Sequence, residues 1–326
     1  MKITRSMLTG AAAVLLLLAV GPAFAQTWPA RPVRVIIPFP PGAGAENAAR
    51  LVSNHWSKVF GQGFVIDARP GGNTMIGAEA AAKAAPDGYT LFLCAASTMV
   101  VTPALMGAKS PINVQRDFVP VGLVSRLPFF LVVPASVPVN SVQELVALAR
   151  ANPGAVTYAS NGNGTAGHLG FEVLKRQLGL SITHIPYKGY AQALPDLLGG
   201  RVTTMMADLV VVGPTIKDGR LRALAATSLE RSKFMPSLPT MAELGFPGYE
   251  VTVWFGVFAP AGTPADIVAK LNGEMRKYLA TAEAREGYEK LGHEAAPSTP
   301  EELRAQVASD ADKYGKIIRE AGIKLE

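Results

Sequence analysis

Gly42-Ala43-Gly44-Ala45-Glu46 and Asn161-Gly162-Asn163-Gly164-Thr165 each follow a short apolar run and each lead into a helical pattern. A helix N-terminus leaves about four backbone N–H groups unpaired and carries roughly half a positive charge, so such a loop makes an anion site without a cationic side chain. Glycine lets a ligand come close to the backbone. If the two loops face each other across a cleft, they suit a ligand with polar groups at both ends, such as a dicarboxylate. Three acid-base side chains stand beside them. His168 falls one turn into the second helix, where it either faces the cleft or makes a structural hydrogen bond. Asp208 follows a strand and either accepts from a ligand or caps the next segment. Glu46 is a ligand contact or a first-turn acid stabilised by the helix dipole. Lys188 reads as a solvated charge, and Met205-Met206 as core filling.

Other chemistries find less support. Ser97 or Ser160 with His168 and Asp208 is the one combination that could make a periplasmic hydrolase, and no Gly-x-Ser-x-Gly elbow accompanies it. The four histidines, at 55, 168, 184 and 293, are scattered, and Cys94 is the single cysteine, so neither a metal site nor an internal disulfide is expected. Cys94 lies in an apolar run and reads as a buried, inert thiol. Gly42-x-Gly44 lacks the third glycine of a dinucleotide fingerprint, because Asn47 stands in its place. No cofactor is expected. The formal charge of +6 comes from scattered Lys and Arg residues, which argues against a nucleic-acid stripe.

The elements that would position the loops follow an α/β rhythm of short apolar runs and longer helical ones. Residues 1–25 read as a cleavable export signal: Lys2 and Arg5, an apolar run from Ala11 to Val20, then Ala23-Phe24-Ala25. That run is too short to span a bilayer, and no second one follows, so the protein should be periplasmic and not membrane-embedded. Its removal lowers the charge to +4. About 300 remaining residues allow two cores. A strand over Val33–Pro38 and a helix over Glu46–Phe60 open the first lobe. Val119–Val133 is too long for one ordinary strand and marks a crossing near Arg126. Val156–Ser160, the second loop and a helix to Leu178 repeat the opening pattern. The domain reading is 26–127 with 250–326 as one lobe and 128–249 as the other.

Pro38-Phe39-Pro40-Pro41-Gly42-Ala43-Gly44, Arg69-Pro70-Gly71-Gly72-Asn73 and Ala85-Pro86-Asp87-Gly88-Tyr89 occur in that order. Tyr158-Ala159-Ser160-Asn161-Gly162-Asn163-Gly164-Thr165, Pro186-Tyr187-Lys188-Gly189, Trp254-Phe255-Gly256 and Ala259-Pro260-Ala261-Gly262-Thr263-Pro264 follow. Over nearly the whole mature chain this series resembles the Bug family, periplasmic receptors of tripartite tricarboxylate transporters. The resemblance implies a type II periplasmic binding fold: two lobes with mixed, mostly parallel sheets that close on one ligand. It implies a non-enzymatic, monomeric solute-binding protein that captures a di- or tricarboxylate, an aromatic acid or an acidic amino acid and delivers it to a permease. A receptor that docks on a sensor kinase uses the same closure. In the family, backbone groups, small polar side chains and ordered waters hold the acid. This carries over to Phe39, Gly42, Gly44, Ser97, Thr98, Ser160, Asn161, Gly162, Thr165 and His168. Where many members read Gly-Gly-Gly-Thr-Asp, this chain has Gly42-Ala43-Gly44-Ala45-Glu46. Where many read Phe-Asp-Asn, it has Met206-Ala207-Asp208. Both departures imply a retuned pocket.

Overall fold

The computed structural model describes residues 28–40 and 44–324. The expected export signal and Gly42 lie outside them. Strand β1 (Val33–Ile37) reads VRVII and buries four of its five residues. Helix α1 (Gly44–Phe60) turns Ala48, Ala49, Val52 and Trp56 inward at helical spacing, all fully buried. β2 (Phe64–Ala68), α2 (Met75–Ala82) and β3 (Thr90–Ala95) follow. Cys94 is fully buried in β3, and burial pushes its thiol pKa well up, as an inert core cysteine requires.

Past β3, Ser97–Val101 forms a π-helical turn that runs into α3 (Thr102–Met106), and the short α4 (Val114–Asp117) leads into β4 (Phe118–Pro134). The apolar run read as a crossing is thus a single strand of 17 residues. Next come α5 (Val142–Ala151), β5 (Thr157–Ser160), α6 (Ala166–Leu178), β6 (Thr183–Pro186), α7 (Tyr190–Leu198), β7 (Thr204–Asp208), α8 (Leu209–Lys217) and β8 (Leu221–Ala226). The chain ends with β9 (Thr252–Pro260), α9 (Ala265–Leu279), α10 (Ala282–Glu289), β10 (Glu294–Ala295) and α11 (Pro300–Ala321). Ser141 caps α5 by accepting from the Glu144 N–H at 3.1 Å, and Thr299 with Glu302 forms a full capping box on α11.

The strands join in the order β2-β1-β3-β9-β4-β7-β5-β6, with β8 and β10 also paired to β4. β1 pairs parallel with β2 and β3, and β5 pairs parallel with β6 and β7. Antiparallel pairing is concentrated on β4 and β9. Phe118–Pro128 of β4 lies along β9, whereas Phe129–Pro134 lies along β7 and β8. One strand therefore belongs to two sheets, and its change of partner falls just past Arg126. Arg126 is tied there to Glu250 at 3.5 Å and Gln306 at 3.1 Å.

α11 packs across this change of sheet. Trp254 of β9, fully buried, donates its indole N–H to Asp310 at 2.8 Å, and Lys313 lies 3.3 Å from the same carboxylate. Toward its C-terminal end, the Ile317 carbonyl accepts from Arg176 of α6 at 3.2 Å. Among the described residues, no helix is long and apolar enough to cross a membrane.

Candidate functional site

The segment from β5 into α6 is built from its own side chains. The Thr165 hydroxyl donates to the Gly162 carbonyl at 2.7 Å, which curls the loop. Ser160 Oγ accepts from the Gly162 N–H at 3.2 Å, and the Gly164 N–H donates to His168 Nδ1 at 3.0 Å. Gly164 sits at φ +73°, and a Cβ there would come 2.8 Å from Leu105 Cδ1 on α3. The positive φ favours glycine, while the Leu105 methyl could swing aside. Behind the first turn of α6, the Tyr249 hydroxyl donates to the Gly170 carbonyl at 2.9 Å. Gly167 lies so close to β7 that a Cβ would sit 2.8 Å from the Met206 carbonyl oxygen. Backbone cannot swing aside as a side chain can. Gly167→Ala should therefore lift the start of α6 and cost about 1–3 kcal/mol, read as a lowered urea midpoint at constant slope.

The start of α6 opens into a cavity of about 180 Å³. Asn161, Gly164, Thr165, Ala166 and Leu169 line it from the loop and α6, and Ala96, Ser97 and Val101 from the π-helical turn just past β3. Phe129, Thr252, Val253 and Tyr314 complete it from β4, β9 and α11, at the place where β4 changes sheets. No lysine or arginine is among these residues. Asn161 Oδ1 and the Tyr190 hydroxyl beside the start of α6 are cut off from solvent without a hydrogen-bond partner, as is Thr98 Oγ1. Thr98 follows the cavity-lining Ser97, and the Tyr190 oxygen lies 3.8 Å from where a Gly167 Cβ would stand. Larger hollows of about 350 and 500 Å³ lie beside Phe118 and Val307 and beside Val268 and Thr299. Neither carries a residue expected to bind ligand.

Ser97, Asn161 and Thr165 line the cavity, and Thr98 and Gly162 stand next to its lining. Ser160 is fully buried and meets His184 Nε2 at 2.7 Å, so it pairs with a histidine other than the one expected. His168, 6 % exposed, accepts from Gly164, the structural alternative for it. Asp208 caps α8 by accepting from the Val210 and Val211 N–H groups at 3.0 and 3.2 Å, and burial raises its pKa against those bonds. Ser160, His168 and Asp208 form no catalytic relay. Phe39 packs edge-on against Phe255, Gly44 begins α1, and Glu46 is buried in the first turn of α1 and pairs with Arg50. Those three lie outside the cavity lining. Phe129, Val253 and Tyr314 were not legible as site residues, because only long-range packing brings β4, β9 and α11 together.

Behind the loop, His168 and His184 stack with centroids 4.0 Å apart and planes 11° from parallel, and Tyr158 stacks on His184 at 4.7 Å. Tyr158 donates to Glu172 at 2.9 Å, and Lys175 donates to the same carboxylate at 2.6 Å. Burial would raise the Glu172 pKa, but Lys175 and Tyr158 outweigh it and hold it low. Burial lowers the pKa of His168 and pushes that of His184 down to about 4, so both rings are neutral at pH 7.

Comparison with known proteins fits this geometry. The model of the tripartite tricarboxylate transporter family receptor, TctC, matches residues 48–323. BugT of Bordetella pertussis is 37% identical over 305 residues, which cover 94% of each chain. Rhodopseudomonas palustris Rpa4515, solved with adipate, is 35% identical with a TM-score of 0.75 and covers 91% of this chain and 99% of its own. MatC from the same organism, solved with bound malate, is 30% identical with a TM-score of 0.70 over 89% of this chain and 100% of its own. The likeness runs from the first lobe to the last helix of a two-lobe binding fold, and the chain belongs to the tripartite tricarboxylate transporter family of receptors, the TctC or Bug family, whose members bind solutes and are not enzymes.

Proposed function

We propose that this receptor works in the periplasm, where it captures a small carboxylate between its lobes and delivers it to the permease of a tripartite tricarboxylate transporter. One observation carries the reading. The N-terminus of α6 opens into a cavity whose described lining offers Ser97, Asn161 and Thr165 but no cationic side chain. Backbone N–H groups and the helix dipole favour an anion there, and hydroxyls and ordered waters fill out its contacts. Adipate in Rpa4515 and malate in MatC are acids of this kind. The signal-like residues 1–25 support export.

The proposed lobes are 26–127 with 250–326, and 128–249, each a part of a monomer. On that division β4 is the connecting strand, cut after Leu127, with the start of β9 paired beside the cut, and the acid binds there. Closure would bring the two lobes together around the ligand.

Calorimetry and thermal shift on the protein without residues 1–25 test the reading with adipate, malate, citrate, glutamate and benzoate. An acid held at 100 times its Kd adds about 2.7 kcal/mol, a rise of several degrees in Tm. One acid that binds and is recovered unchanged supports the reading. No shift with any of the five defeats it for these acids, and a converted acid defeats it outright.

A further inference from the structure

The anion-binding loop does not hold its shape by its own bonds alone. Gly164 gives its N–H to His168 Nδ1 at 3.0 Å, and Gly162 gives its N–H to Ser160 Oγ at 3.2 Å, which in turn meets His184 Nε2 at 2.7 Å. Two of the loop's backbone N–H groups are thus anchored, one directly and one through Ser160, on two rings that stack at 4.0 Å. Neither ring lines the cavity. We propose that the stacked pair His168 and His184 are positioning residues that lock the loop 161–165 from behind, so that protonating the pair releases the loop and its grip on the acid. This rests on the reading that the loop holds the ligand carboxylate.

The chemistry is one of donors and acceptors. His168 Nδ1 accepts from Gly164 only with a free lone pair. A proton there sets two N–H groups against each other and breaks the bond. His184 cannot gain a charge without placing it against the neighbouring ring. The other titratable groups facing the pair are Tyr158 on β5 and Glu172 and Lys175 on α6. Tyr158 and Lys175 both bond to Glu172, which leaves that carboxylate partly neutralised as a counter-ion for an imidazolium. With both pKa values lowered by burial, the lock is closed at pH 7 and opens on acidification, below the range in which an ordinary histidine gains its proton.

The test needs two variants and two readouts. His184→Phe keeps the stack and removes Nε2, and His184→Gln keeps a polar atom within reach of Ser160. In the mature wild-type protein without ligand, the 15N-glycine amide signals of Gly162 and Gly164 should move together on acidification, with a midpoint below the ordinary histidine value of about 6.5. At neutral pH, affinity for adipate and malate should fall about tenfold in His184→Phe and stay within about threefold in His184→Gln. Glycine signals that stay fixed across this range overturn the proposal. So does a Phe variant that binds like wild type, or a Gln variant as weak as Phe. If neither acid binds, the receptor reading fails for them, while the glycine signals still decide whether the histidines lock the loop. If the Phe variant does not fold, those signals and the Gln variant decide it.

Discussion

Aspartate in place of Ala166 is expected to weaken carboxylate binding about 100-fold while leaving Tm unchanged or slightly raised. Ala166 is the first residue of α6, half-buried, and lines the cavity. A carboxylate on its side chain would lie over the same N–H groups that the ligand needs. It would also repel the incoming acid: two charges about 4 Å apart at an effective dielectric near 20 differ by roughly 4 kcal/mol before screening, enough for a loss of this size. The same charge is welcome to the helix, since an acid in the first turn contributes about 0.3–1 kcal/mol. Affinity and stability should thus move in opposite directions, which simple unfolding cannot imitate. Ala166→Asn supplies the control, with similar volume and no charge, and should keep most of the affinity. An Asp variant that binds like wild type would put the carboxylate elsewhere and remove α6 from the site.

Absence of a lysine or arginine from the described lining bears on what such a receptor selects. An N–H cluster accepts any carboxylate, because its donors meet the shared head group. Discrimination must then come from the rest of the wall, where Phe129, Leu169, Val253 and Tyr314 offer apolar surface of fixed shape. Two of these four come from β4, the strand that the proposed division cuts after Leu127, and from β9, which pairs along the first part of β4 up to that cut. If the acid binds there as proposed, ligand shape and lobe geometry are read at neighbouring residues. A poorly fitting acid would hold the crossing strands away from their closed arrangement, and that difference is what a partner can sense.

Much of this was legible beforehand. The apolar run read as a strand over Val33–Pro38 is a strand over Val33–Ile37, and the second glycine-rich loop opens a helix at the cavity. Boundaries slipped where competing local rules applied. The alanine-rich pattern reads on to Ala85, but α2 ends at Ala82, since Pro86 disfavours helical backbone just before it. Helices α7 and α8 are hidden because each contains a proline, Pro195 and Pro214, that reads as a breaker. The π-helical turn at Ser97–Val101 carries no period that a sequence shows. The pairing of His184 with Ser160 depends on the register of β5 against β6, and the place of Tyr314 depends on how α11 crosses both sheets. Spacing along the chain contains neither fact. Asp208 is the instructive middle case, because capping and ligand contact make the same demand for a short acid after a strand.

Lowering the pH from 7 to 4.5 is expected to remove about 2–3 kcal/mol of stability through His293 alone. The ring is 3 % exposed, with Nδ1 3.0 Å from Ser125 Oγ and Phe255 packed at 5.0 Å, and burial pushes its pKa down to about 4. In the unfolded chain the same ring titrates near 6.5. Between these values the unfolded state binds the extra proton, so stability is fully present above about pH 6.5 and is lost as pH falls toward 4. His184, shifted the same way, adds to the slope. His293→Leu together with Ser125→Ala separates the two, because it removes the titrating ring without stranding a buried hydroxyl. Urea denaturation at pH 7 and 4.5 should show the wild type losing about 2–3 kcal/mol more than this variant on acidification. Equal losses would mean that His293 is protonated in the folded state without penalty. Its burial between β4 and the C-terminal segment would then be open enough for water to solvate the charge, and the acid sensitivity of the fold would have to come from the stacked pair behind the loop.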